Sequence, residues 1–207
     1  VPKESVIVAG IGTEVGKTVV SSILCEVLSA RYWKPIASGS DDGPAESVSV
    51  ARLIKNGAER IFSERYLFKK SLSPHVAAAM EGVEVSLDEF SIPVCEEPLV
   101  VELAGGVMVP LNDRSTNLDL IKRLQLPVVV VSRHYLGSIN HTLLTLAALR
   151  HSNIPVTGVV FNGEELPDTE RIISLLGDVA VIGRVPMFGV VSQEAISSFA
   201  ASCGWNL

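Results

Sequence analysis

An apolar run, Ser5–Ala9, leads straight into Gly10-Ile11-Gly12-Thr13-Glu14-Val15-Gly16-Lys17-Thr18, and a helical pattern follows. A strand ending in a glycine-rich turn at a helix start brings backbone N–H groups and the positive end of the helix dipole to one point. That point is an anion site. Lys17 is placed to reach the outer phosphates of a nucleotide, and the Thr18 hydroxyl to sit on Mg²⁺. The spacing departs from the strict phosphate-loop pattern, because Ile11 holds the first glycine's place and Gly10 lies one residue earlier. Gly10, Gly12 and Gly16 also fit a loose dinucleotide fingerprint. The Gly-Lys-Thr ending favours a triphosphate, and no acidic residue closes the second strand where a ribose partner is expected.

The rest of the chain repeats the strand–helix alternation. Strands are predicted at Ser5–Ala9, Tyr32–Ile36, Leu99–Leu103, Val128–Ser132, Val156–Asn162 and Val179–Gly183. Helices are predicted at Lys17–Ala30, Ala45–Lys55, Pro74–Glu81, Leu118–Leu124, Ser138–His151, Asp168–Leu176 and Ser192–Cys203, with irregular structure over Asn56–Ser73. This pattern implies a single-domain α/β fold over residues 1–207: a doubly wound, mostly parallel sheet with helices on both faces. At 207 residues the chain can build one sizeable core. In such folds ligands bind beyond the carboxyl ends of the strands.

Composition removes several function classes. The net charge of −6 and 5% aromatic content do not suit a nucleic-acid binder. No apolar run approaches the ~20 residues that span a bilayer. No secretory leader is visible, and Cys25, Cys95 and Cys203 lack pairing or metal spacing, so a reduced, cytoplasmic chain without membrane partners is expected. His134 and His151 read as surface residues, and His141 as a packing or hydrogen-bonding side chain.

Two further charges stand at strand ends. Tyr32-Trp33-Lys34-Pro35-Ile36 places a lysine in an apolar strand, where burial is costly unless it is paired. Such a lysine either snorkels to solvent or holds an anion near the phosphate loop. Leu99-Val100-Val101-Glu102 ends in a carboxylate where phosphate-loop proteins hold Mg²⁺, and Ala104-Gly105-Gly106 then allows a sharp turn. Leu136-Gly137-Ser138-Ile139-Asn140 opens a long helix whose free N–H groups suit a carboxylate, although an ordinary capped helix reads the same way.

These residues resemble the dethiobiotin synthetase family over most of the chain. The matching segments are GIGTEVGKT (10–18), KPIASG (34–39), SPHVAAAMEG (73–82), ELAGGVMVPL (102–111), LGSINHTL (136–143) and Asn162. The offset first glycine is the family's own loop variant. The resemblance implies ATP-dependent carboxylation of 7,8-diaminononanoate with CO2 and closure to a cyclic urea. The intermediates would be a carbamate and a carbamic–phosphoric anhydride.

It also implies roles. Lys34, Lys17, Thr13 and Glu14 would be catalytic, and Thr18 and Glu102 would bind Mg²⁺. Ser38 would meet the substrate. Gly137, Ser138, Ile139 and Asn140 would receive its carboxylate across a homodimer interface. Gly12, Thr13, Glu14, Val15, Gly16, Lys17, Thr18, Glu102, Ala104 and Gly105 would surround the ATP phosphates. Asn162, Pro186, Met187, Phe188 and Gln193 would lie at the base.

Two positions depart from the family pattern. Its second metal-binding Asp aligns at or near Val48, with Asp41, Asp42 or Glu46 as substitutes, so weaker Mg²⁺ affinity is expected. Leu103 replaces a glycine, which would be strained if φ there had to be positive. Alternative functions are a catalytically weakened nucleotide-binding relative and a phosphate-loop switch ATPase. The switch class carries a further lysine early in its loop, and none precedes Lys17 within this loop.

Overall fold

A computed structural model describes residues 2–205 and Leu207. The chain runs β1 (Val6–Gly10), α1 (Lys17–Val27), β2 (Arg31–Trp33), β3 (Ile36–Ser38), α2 (Glu46–Leu53), α3 (Gly57–Arg60), β4 (Ile61–Phe62), β5 (Tyr66–Phe68) and α4 (Pro74–Met80). It continues through β6 (Leu99–Gly106), α5 (Asn117–Leu124), β7 (Val128–Arg133), α6 (Ser138–His151), β8 (Val156–Asn162), α7 (Pro167–Gly177), β9 (Val181–Val185) and α8 (Gln193–Ser202).

Seven strands form one sheet in the order β4-β2-β6-β1-β7-β8-β9, and every pairing is parallel. The expected doubly wound α/β architecture is present. Side-chain alternation along the strands divides the core into two layers. Val6, Val8, Tyr32, Val100 and Val129 face one layer with Val20, Ile23 and Leu24 of α1 and Ile196 of α8. Ile7, Ala9, Val101, Leu103 and Val130 face the other, with Leu120 of α5, Leu146 of α6 and Ile173 of α7.

The long apolar strands and the helices stand close to their expected places. Three details differ. The predicted strand Tyr32–Ile36 is broken at Lys34-Pro35, and its second half, β3, leaves the main sheet to pair with β5. A proline cannot donate to a ladder, so the break falls where the lysine must turn toward the site. Asn56–Ser73 is not wholly irregular, because α3 and the short strands β4 and β5 lie within it. β4 has two residues and β5 three, too short for a period to show. The last strand lies two residues later than predicted, at Val181–Val185.

Strand β1 lies between β6 and β7, and the chain winds away from it in both directions. The crevice at its carboxyl end is therefore the switch point where such sheets bind ligands. No helix among the described residues is long and apolar enough to cross a membrane.

Candidate active site

The phosphate loop is held in a conformation that only certain residues tolerate. Glu14 has φ of 57° and Gly16 has φ of 93°. A Cβ at Gly16 would stand 2.0 Å from Asn162 Nδ2, and one at Gly10 would stand 2.7 Å from the Gly12 carbonyl oxygen. Gly10 is thus the glycine this turn requires, which accounts for the offset spacing. Lys17 Nζ donates to the Gly12 carbonyl at 3.0 Å, so the lysine folds over its own loop. Burial lowers the Lys17 pKa and the nearby Lys34 adds to that, while Glu102 opposes it.

Glu102 follows from strand parity. Val100 and Glu102 point to the α1 side, so the carboxylate lies against the first turn of that helix. It is 1% exposed. Its Oε1 accepts from Thr18 Oγ1 at 3.1 Å and from Lys34 Nζ at 3.1 Å, and its Oε2 accepts from the Tyr32 hydroxyl at 3.1 Å. Burial alone would raise the Glu102 pKa, but Lys34 and Lys17 outweigh it and hold the group below the usual carboxylate range. Burial likewise opposes charge on Lys34, and Glu102 with Glu46 more than offsets it, so its pKa is raised. The lysine is therefore a buried, charged, paired group.

Glu46, the first residue of α2, reaches Lys34 Nζ at 2.8 Å. This separates the three candidates for the acid near Val48. Val48 is exposed and does not line the cavity, Asp41 pairs with Lys70 at the surface, and Asp42 is exposed and outside the cavity. Glu46 is the acid of α2 that faces the site. Leu103 is a core residue and is not among the residues with positive φ, so it carries no such strain.

A cavity of about 780 Å³ gathers Thr13, Glu14, Gly16, Lys17, Thr18, Lys34, Ser38, Glu46, Glu102, Ala104 and Gly105. The segment Ser71–Pro74 closes another side of it. Thr18 Oγ1 and Glu102 are hard oxygen donors that fit Mg²⁺, and the ammonium of Lys34 already stands at that carboxylate as a cation. Tyr32 and Asn117 escaped the sequence reading. Asn117 Nδ2 donates to the Ala104 and Gly106 carbonyls at 2.7 and 2.9 Å and so fixes the turn after Glu102. The Thr116/Asp119 capping box beside it was the available signal.

A second cavity, of about 940 Å³, is lined by Gly137, Ser138, Ile139 and Asn140 together with Asn162 and Met187. Within one chain these residues do not join Lys34 and Ser38. Asn162 Nδ2 donates to the Val15 carbonyl at 3.0 Å and braces the phosphate loop from behind. Phe188 packs edge-on against Phe199 of α8, with ring centroids 5.8 Å apart. Pro186 is exposed, and Gln193 is half-buried at the start of α8. His134 is not a surface residue: its side chain is buried, stacked on Phe161 and bonded to Glu170 Oε1 at 2.9 Å. His141 Nδ1 shares a 2.7 Å hydrogen bond with the Tyr135 hydroxyl, as a hydrogen-bonding role would require.

An AAA domain family model matches residues 4–195. A protein of Brucella ovis named ATP-dependent dethiobiotin synthetase BioD is 45% identical over 94% of this chain and 92% of its own length. One of the same name from Christiangramia forsetii is 46% identical over 95% of this chain and 94% of its own. The chain belongs to the dethiobiotin synthetase family. The ATP dependence in the relatives' name agrees with the nucleotide-type loop.

Solved structures agree on the fold. A ParA family ATPase from Chlorobium tepidum aligns with TM-score 0.51 and 10% identity, covering 97% of this chain and 99% of that one. The MinC:MinD complex of Aquifex aeolicus aligns with TM-score 0.52 and 11% identity, covering 99% and 97%. At that identity the likeness concerns the fold alone, and the dethiobiotin synthetase relatives decide the family.

Proposed function

We propose that this chain closes 7,8-diaminononanoate and CO2 to dethiobiotin with ATP. The observation that supports this best is the meeting of Lys17, Lys34, Thr18 and Glu102 in one cavity. One amine of the substrate adds to CO2 and loses a proton, giving a carbamate. A carbamate oxygen takes the γ-phosphoryl group and ADP leaves. The second amine then attacks the carbamoyl carbon, phosphate departs, and the cyclic urea forms.

The protein's part is positioning and charge stabilisation. Lys17 holds γ-phosphate oxygens, and Lys34 holds the carbamate where it meets that phosphate. Thr13, Glu14 and Ser38 line the approach. Thr18 and Glu102 hold Mg²⁺, which supplies neutralising charge at the phosphates. Asn162 recognises the base beside Pro186, Met187 and Phe188, with Gln193 nearby. The uncapped start of α6, Gly137–Asn140, receives the substrate carboxylate from a second copy of the chain in a homodimer.

The test is ADP release from Mg-ATP and bicarbonate, with and without the diamine, together with the mass of the product. Diamine-dependent ADP and a ring product are expected. ADP release independent of the diamine would reject the reading. Lys34→Ala should lower diamine-dependent turnover about a hundredfold and leave ATP binding within about threefold, since Lys34 serves the transition state more than the ground state.

A further inference from the structure

The geometry points to Glu46 as the positioning residue for Lys34, holding its ammonium toward the reactants when Glu102 is occupied by the metal. This rests on the proposed roles of Lys34, Thr18 and Glu102. Lys34 is 3% exposed, and its two acidic partners come from different elements, β6 and α2. They are not equivalent. Glu102 is shared: Oε1 serves Thr18 and Lys34, and Oε2 serves Tyr32. A cation held by Thr18 and Glu102 would compete with Lys34 for Oε1. Glu46 has no other salt-bridge partner among the described residues, and its contact with Lys34 is the shorter, 2.8 against 3.1 Å.

Two features make Glu46 a defined tether. It is the first residue of α2, where the helix end favours a carboxylate. The next residue, Ser47, donates to Glu64, which fixes the start of α2 to the segment between β4 and β5. On the other side, Lys34 lies at the β2–β3 break and is followed by Pro35, so its backbone is also restricted. An ammonium has three donors, so Lys34 held by Glu46 keeps donors for a reactant when the metal takes Glu102. A small misplacement of such a group costs rate far more than binding.

The test is a double-mutant cycle at saturating Mg²⁺, ATP and diamine. Glu46→Gln should lower kcat about tenfold to a hundredfold, with ADP affinity by calorimetry unchanged. Glu46→Asp should recover part of the loss. Lys34→Gln and the double variant should be equally slow, because Glu46 acts only through Lys34. Multiplying losses in the double variant would overturn the proposal. So would a Glu46→Gln protein whose kcat is intact but whose Mg²⁺ requirement is raised, since that would make Glu46 a metal ligand. Thermal melting of each variant separates misfolding from misplacement. A wild-type protein without diamine-dependent turnover would overturn the proposed reaction and this role with it; failure of the cycle alone would overturn only Glu46's part.

Discussion

Beside the phosphate loop, each buried charge already has a partner within the chain. Lys17 is on a loop carbonyl, Lys34 is between two carboxylates, and Glu102 accepts three hydrogen bonds. Beside the start of α6 the wall is different. Tyr135, Leu136 and Ile139 are exposed, and Gly137 begins the helix with φ of 106° and no side-chain cap. The first cavity is fixed by internal charge pairing, while the second presents apolar surface and free helix N–H groups. Chemistry that depends on charge stabilisation needs groups set in place beforehand. Recognition of a base or a substrate carboxylate can use backbone and shape completed by the ligand or by a second copy. Substitutions in the first cavity should therefore act on kcat, and those in the second on KM.

The largest effect is expected at Lys17. Lys17→Ala removes the cation proposed to reach the outer phosphates, and kcat for diamine-dependent ADP release should fall about a thousandfold. A fall below tenfold would show that the pairing around the loop does not serve transfer. Asn162 breaks the comparison from the other side, because it lines the second cavity and also braces Val15 of the loop. Asn162→Ala should raise the KM for ATP about tenfold, for the loss of the proposed base contact together with the loop contact, with kcat changed less than threefold. A kcat loss larger than the KM change would move Asn162 into the transfer machinery.

The same two regions differ in how much of them the sequence discloses. The phosphate loop, Lys34 and Glu102 are legible because each sits at the end of an apolar run, and the carboxyl ends of the central strands of a parallel sheet meet the switch-point crevice. Glu46 could be named only as one of three substitutes, because which acid of a helix start turns inward depends on tertiary packing. Tyr32 was hidden for another reason: a tyrosine in an apolar strand reads as core, and only the parity of β2 against β6 puts its hydroxyl on Glu102. The short strands β4 and β5 carry too few residues for a period. His134 reads as surface because nothing local announces Glu170, 36 residues later, as its partner.

That histidine allows the smallest-effect prediction, on stability instead of turnover. Glu170 is buried beneath the second cavity, bonded to His134 and in a bidentate pair with Arg184. Burial alone would raise its pKa, but Arg184 and His134 outweigh this and hold it below its ordinary value of 4.5. A carboxylate with a depressed folded pKa contributes stability that is fully present above the unfolded value. The contribution is lost as pH falls through the folded one. Stability should therefore decline as pH drops below about 4.5 toward the folded pKa of Glu170, and Glu170→Gln should flatten that part of the curve. At neutral pH the substitution should cost about 2 kcal/mol, less than a fully buried pair, because Arg184 keeps some solvent contact. Urea melts of both proteins across that pH range measure the difference. With the first cavity untouched, kcat should change by less than about twofold. Parallel acid profiles for the two proteins would show that the pair beneath the second cavity is not what holds Glu170 ionised. A matching loss of kcat would mean that the two cavities are mechanically coupled through β8, which ends at Asn162 behind the phosphate loop.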